Sequence, residues 1–172
     1  MRPQLKMGGT SYRLNETYAK VGREWKYLYR AVSSRGCTIE FMPSTKRDLS
    51  AANRFLKKLI RADHPRLPLT IRVDKHATYP EAFTASIQDK VLPFDCKLRR
   101  VKYINNAIEQ DHRVIRRRWR AAQCFRSFHT AEWTLEGIES LHMRRKGQVK
   151  RLEGRDSVGQ AKFVAGLFGI SA

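Results

Sequence analysis

The sequence predicts an α/β layered sheet of mixed direction, on three observations. Three runs rich in Tyr, Val, Ile, Trp and Thr follow one another from Ser11 with short Gly-containing breaks between them, as in an antiparallel meander. Beyond them the apolar period switches between helix and strand, the alternation that builds helices onto a sheet. The 172 residues, 41% of them hydrophobic, suit one domain with a full-sized core.

Residues 1–10 are polar and carry Gly8-Gly9, the composition of a linker remnant. Residues 11–147 are expected to form the domain and 148–172 an extension packing on it. The first three strands are "SYRLNETYAKV", "EWKYLYRAV" after Gly22, and "CTIEFM" after "SSRG". In "STKRDLSAANRFLKKLIRADHP", Leu49, Ala52, Phe55, Leu56, Leu59 and Ile60 recur at three and four, and Pro65 closes the helix. "LTIRVDK" is a fourth strand, and "YPEAFTASIQDKV" a second helix with Pro80 and Glu81 suited to its first turn. "CKLRRVKYI" is a fifth strand and "NNAIEQDHRVIRRRWR" a third helix. "HTAEWTLEGIESLHMRRKG" is a fourth helix, closed by basic residues and Gly147. Trp25, Tyr27 and Tyr29 alternate on the second strand and are assigned to a helix-covered core in preference to a base-stacking platform. Trp133, Leu135 and Ile138 likewise read as packing. From Gln148 onward nothing is specified before the apolar end at Phe163 to Ile170.

Lys plus Arg number 35 against 16 Asp plus Glu, a net charge of +19. That is far more than solubility asks for, and it points to a polyanion. The basic residues are spread over strands and helices alike, which favours nucleic acid over a membrane surface. Cys37, Cys96 and Cys124 are odd in number and in no C-x-x-C arrangement, so neither a disulfide framework nor a zinc site is indicated and a reducing cytosol is expected. The start "MRPQLKMGGTS" has no apolar h-region, and no apolar stretch is long enough to span a bilayer.

In sheets of this kind ligands collect where loops leave the strand ends, so polar residues in or just after strands are the candidates. Three stand out: Asn15 inside the first strand, Asp74 ending the fourth, and Glu109 opening the third helix. Between Asp74 and Glu109 lie 34 residues. With these three, "YRLNETYAKV…EWKYLYRAV", "IRVDKHATYP", "LRRVKYINNAIEQDHR" and "RRKGQ" occur in order. Together they resemble the catalytic domain of the insertion-sequence-six family of bacterial DDE transposases, over residues 10–170.

The resemblance implies an RNase H-like, retroviral-integrase-like fold: a mixed five-stranded sheet flanked by helices. It also implies three carboxylates holding two Mg²⁺ (or Mn²⁺) ions, with Asn15, Asp74 and Glu109 at the matching positions and Asp74 and Glu109 as the metal ligands. Hard divalent cations take oxygen ligands, and a cluster of negative charge is tolerable where they neutralise it. The implied reaction is in-line displacement at phosphorus, which cuts transposon ends and joins them to target DNA. DNA is then the partner, a homo-oligomer is implied by the resemblance alone, and the setting is the bacterial cytoplasm and nucleoid.

Two departures from the family pattern are present. The family reads W-x-x-D-E-T-Y, whereas this chain has Tyr12 and, at the first Asp position, Asn15. An amide offers one neutral acceptor oxygen, so it should bind Mg²⁺ poorly and bridge two ions worse. Glu16 is no ready substitute, because successive strand side chains point to opposite faces. The family also carries a helix-turn-helix region ahead of the catalytic domain, and here the chain begins at the linker. The expectation is an N-terminally truncated, catalytically impaired copy.

On the third helix, Glu109, Arg113, Arg116 and Arg120 share one stripe, while Ile108, Ile115, Trp119 and Ala122 form another that should face the sheet. The carboxylate would face the metals. Lys75, Arg113, Arg116, Arg117 and Arg120 would hold DNA phosphates, contacts that position the backbone and carry no sequence information. A basic residue seven positions after the last acid is a family habit, and Arg116 fills it. On this helix alone, a solvated Glu109–Arg113 pair of about 0.2–0.5 kcal/mol is the simpler account; the neighbouring motifs favour the metal role. Asp111 reads as structural, and His112 as supporting the ligands from behind or structural, in preference to binding a metal directly. Two other function classes fit parts of the pattern: a non-enzymatic basic DNA binder, and an RNase H-type nuclease acting on RNA–DNA hybrids.

Overall fold

In a computed structural model, residues 6, 9–61, 67–74, 78–101, 113–118, 125, 127–150 and 152–167 are described. The strands are β1 (Ser11–Val21), β2 (Glu24–Ser33), β3 (Thr38–Ser44), β4 (Thr70–Val73) and β5 (Lys97–Arg100). The helices are α1 (Leu49–Arg61), α2 (Thr78–Gln88), α3 (described over 113–118), α4 (Phe128–Arg145) and α5 (Ser157–Leu167). The sheet order is β3-β2-β1-β4-β5. β1, β2 and β3 pair antiparallel, and β4 pairs parallel with both β1 and β5. This is the mixed α/β sheet that the meander and the alternating periods predict.

Period-two alternation sorts the strand residues onto two faces. Tyr12, Leu14, Tyr29, Ala31, Ile71 and Val73 face one way and pack with Ala52, Phe55, Leu56 and Leu59 of α1 and with Tyr79 and Ala82 of α2. On the other face Val21 and Leu28 meet Ile115 of α3, Phe125, and Ala131, Leu135 and Ile138 of α4. Helices therefore cover both faces. α1 begins where the Asp48 carboxylate accepts the Ala51 N–H at 2.8 Å, and α4 where Ser127 Oγ accepts the Thr130 N–H at 3.2 Å. Both satisfy N–H groups that a first helical turn leaves without partners.

Three details differ from expectation. Tyr29 is core and Tyr27 is partly buried, but Trp25 is 56% exposed, because it lies farther out along the hairpin than the helix-covered cluster reaches. Trp133 is 63% exposed, on the outer side of α4, while Leu135 and Ile138 are buried. The chain end also holds a helix, α5, started by Asp156, whose carboxylate accepts the Gly159 N–H at 2.8 Å. Two glycines within α5, Gly159 and Gly166, hide its helical pattern. A Cβ at Gly159 would come within 2.1 Å of the Asp156 carboxylate as it stands, so a larger residue there would make that side chain turn.

The "RRKGQ" run has a structural role. Gly147, at φ 67°, ends α4 with its N–H on Arg144 O at 2.9 Å and the Gln148 N–H on Met143 O at 3.1 Å, a Schellman closure. The turn aims the Gln148 amide at edge strand β3, where Oε1 accepts the Thr38 N–H at 2.9 Å and Nε2 donates to Thr38 O at 3.0 Å. One buried side chain thus does the work of a neighbouring strand. Gln148→Ala should cost about 2 kcal/mol by leaving both backbone groups without partners, seen as a Tm lowered by roughly 4–8 °C.

Candidate functional site

The last paired rung between β1 and β4 is Arg13↔Arg72. Two residues beyond it on each strand stand Asn15 and Asp74, with Asp74 immediately after β4. Both have the parity of Arg13 and Arg72, so they belong to the α3/α4 face. α3 reaches the same face: Arg116 Nε donates to Thr17 Oγ1 at 2.7 Å, and Thr17 is the next β1 residue on Asn15's side. The structure therefore brings Asn15, Asp74 and the basic helix α3 to one corner of the sheet. Arg113, Arg116 and Arg117 are exposed there, and so is Asp74. Glu109, Lys75 and Arg120, with Asp111 and His112, lie outside the described residues.

Asn15 is half-buried, and its Oδ1 accepts the Glu16 N–H at 2.7 Å. The one oxygen an amide can offer a cation is thus turned to its own backbone. Glu16 points to the opposite face, as the strand period requires, and is paired with Arg47. Its carboxylate lies near Tyr79, a core residue on α2. Burial pushes the Tyr79 phenol well above its ordinary value, and the Glu16 charge adds to this. A raised folded-state value means the neutral phenol is the stabilising form, so stability is full below about pH 10 and falls as pH rises further. Denaturant titrations at rising alkaline pH should show that loss, and Tyr79→Phe should blunt it.

A residue pair that sequence reasoning missed lies beside Asn15. Arg30 is its cross-strand partner on β2. The guanidinium meets Glu139 of α4, Nε to Oε1 at 2.5 Å and Nη2 to Oε2 at 3.1 Å, with both side chains fully buried. Glu139 falls on the inward stripe of α4 with Leu135, Ile138 and His142. A carboxylate on a helical stripe made mostly of apolar residues was the available signal for a buried partner.

The described donors at this corner are one carboxylate and one amide with its oxygen engaged. Among the described residues no group of three or more His, Cys, Asp or Glu could hold a metal ion. Two bridged divalent cations need several charged oxygens; Asn15 supplies none, Asp74 supplies one carboxylate, and Glu109 lies outside the described residues.

The DDE domain family model matches residues 9–148. The chain belongs to the insertion-sequence-six family of DDE transposases. It is 34% identical over 142 residues to the transposase for insertion sequence-like element IS431mec of Staphylococcus aureus strain Mu50, covering 83% of this chain and 61% of that one. The transposase of insertion sequence element IS257 in transposon Tn4003, also from Staphylococcus aureus, matches with the same identity and coverage. The chain thus spans about three fifths of the length of these relatives. Among solved structures, the HTLV-2 integrase catalytic core in complex with magnesium superposes with a TM-score of 0.58 at 12% identity, over 86% of this chain and 92% of that one. The BIV integrase catalytic core gives 0.54 at 14% identity, over 94% and 99%. The transposase family member accordingly has the RNase H-like fold. Among its described residues no helix is long and apolar enough to cross a membrane.

Proposed function

We propose that this chain is the catalytic domain of a DNA transposase, for strand cleavage and transfer at insertion-sequence ends, in a copy impaired by Asn15. The observation that carries the reading is the meeting of Asn15, Asp74 and the arginine-bearing α3 at one sheet corner. In this reading Asp74 and Glu109 remain as metal ligands, while Asn15 fails as the third. Lys75, Arg113, Arg116, Arg117 and Arg120 hold phosphates of transposon-end and target DNA, with the +19 charge supplying the long-range attraction. Residues 11–147 are the working domain, residues 148–172 pack on it, and the chain acts as a homo-oligomer in the bacterial cytoplasm, at the nucleoid.

The test is a strand-joining assay with supercoiled plasmid and a short duplex bearing a free 3′-hydroxyl, in Mg²⁺ or Mn²⁺. The chain as it stands should be inactive, Asn15→Asp should nick and join, and adding Asp74→Ala to that variant should abolish both. Efficient joining by the unaltered chain would remove the impairment from the reading. Cleavage of RNA–DNA hybrid in preference to duplex by Asn15→Asp would replace it with an RNase H-type nuclease. A second expectation concerns Arg116. Arg116→Ala should weaken duplex binding equally for all sequences and lower the slope of log K against log salt by about one; an unchanged slope would remove Arg116 from the phosphate contacts.

A further inference from the structure

The outer end of the β1–β2 hairpin carries two large aromatic rings that packing does not explain. Tyr18 is 57% and Trp25 56% exposed. They stand diagonally across the two strands, with centroids 5.3 Å apart and planes at 88°. A T-shaped pair cannot cover both faces of its rings, so ring surface stays open to solvent. Burying such rings is favourable by itself, and their exposure therefore asks for an occupant.

The charge around the pair selects one. Lys20 is the cross-strand partner of Trp25 and shares its face. The Arg116 guanidinium lies over the Tyr18 ring at 5.6 Å. Arg54 reaches Ser44, which pairs with Tyr27 on that same face, and Arg47 pairs with Glu16, the next residue inward from Tyr18 on its side of β1. Four cations against the carboxylates of Glu16 and Asp48 leave a net positive rim around an aromatic pair. Cations that track a phosphate chain, beside rings that accept base faces, are the two parts of a single-strand binding site. A hydrophobic protein partner would not call for that rim.

We infer that Tyr18 and Trp25 form a stacking site for an unpaired base of the DNA strand held at the Asn15–Asp74 corner. Tyr18 lies three residues from Asn15, about 10 Å along the strand. Among the described residues, β4 pairs with β1 only as far as Arg13. Arg116 links the two positions: its Nε holds Thr17, on Asn15's face, and its Cζ lies 5.6 Å from the Tyr18 ring centroid. A strand running between them would leave its phosphate on Arg116 and its base on the rings. Base faces inside a duplex are covered by their neighbours, so the site takes unpaired or frayed DNA.

The inference rests on the reading of the chain as a DNA-handling domain, and the test separates the two. Fluorescence anisotropy would be measured with a labelled thymidine oligonucleotide, an abasic oligonucleotide with the same number of phosphates, and a duplex. Equal phosphate counts cancel the electrostatic attraction, leaving the base faces as the difference. The intact chain should prefer the thymidine strand by about tenfold. Trp25→Ala should erase that preference and leave duplex binding unchanged, Trp25→Tyr should keep most of it, and Trp133→Ala, which removes an exposed ring elsewhere, should not change it. Equal affinity of the intact chain for thymidine and abasic strands, with duplex still bound, overturns the stacking site and leaves the DNA reading in place. No binding to any of the three overturns both. A smaller sedimenting mass for Trp25→Ala, with its strand preference intact, overturns the site in favour of contact between copies of this chain.

Discussion

Asn15→Asp should give the chain a Mn²⁺ binding event that the unaltered protein lacks, at least about a hundredfold tighter than any residual binding. That factor is the upper end of what loss of a supporting residue behind a metal ligand costs, and here a ligand itself changes. The reason lies in the local geometry. Asn15 presents one neutral oxygen, and that oxygen already accepts the Glu16 N–H at 2.7 Å. A carboxylate at the same place keeps an oxygen for the backbone and offers a second, charged one toward Asp74. Calorimetric titration without DNA reads this directly. Asp74→Ala in the Asn15→Asp background should remove the new event, because both positions stand beyond the same Arg13↔Arg72 rung. Equal binding by the unaltered chain would mean that another acid completes the site, and Glu16 is not available for it: its carboxylate points to the opposite face, against Arg47.

Much of this corner was legible in the sequence for a simple reason: strand parity is a strict rule. Once β1 is a strand, Asn15 and Glu16 must part, and Asp74 follows β4 at the end where ligands gather. The helices with a clean apolar period were legible too, and α1 buries Ala52, Phe55, Leu56 and Leu59 as its pattern requires, although Leu49 at its first position is exposed. Three features were not. Trp25 reads as core because alternation gives the face a residue points to, but not how far along the strand the covering helix extends. α5 is masked by glycines that propensity counts against it. The Arg30–Glu139 pair joins residues 109 apart, and local patterning carries no information about which distant charge a buried one meets.

That pair should also produce the largest loss of stability. Glu139→Ala leaves the Arg30 guanidinium buried without its carboxylate partner on α4, which should cost about 3–5 kcal/mol. Thermal unfolding should then shift by roughly 6–20 °C. Joint replacement by Arg30→Met and Glu139→Leu should recover most of the loss, since packed apolar side chains of similar volume often match or exceed a buried ion pair. A double variant as unstable as Glu139→Ala would mean that the cost comes from shape and not from charge. The pair also bears on the candidate site. Arg30 is the cross-strand partner of Asn15, and side chains so placed have Cβ atoms about 4.5–5.5 Å apart. Asn15→Asp therefore brings a second carboxylate to the same guanidinium. Removing Glu139 should be less costly in that background, with a coupling of about 0.5–3 kcal/mol in a double-mutant cycle. Additive effects would separate the two positions, and a coupling in the predicted direction would make Arg30 the residue that ties the fold's buried charge to its site.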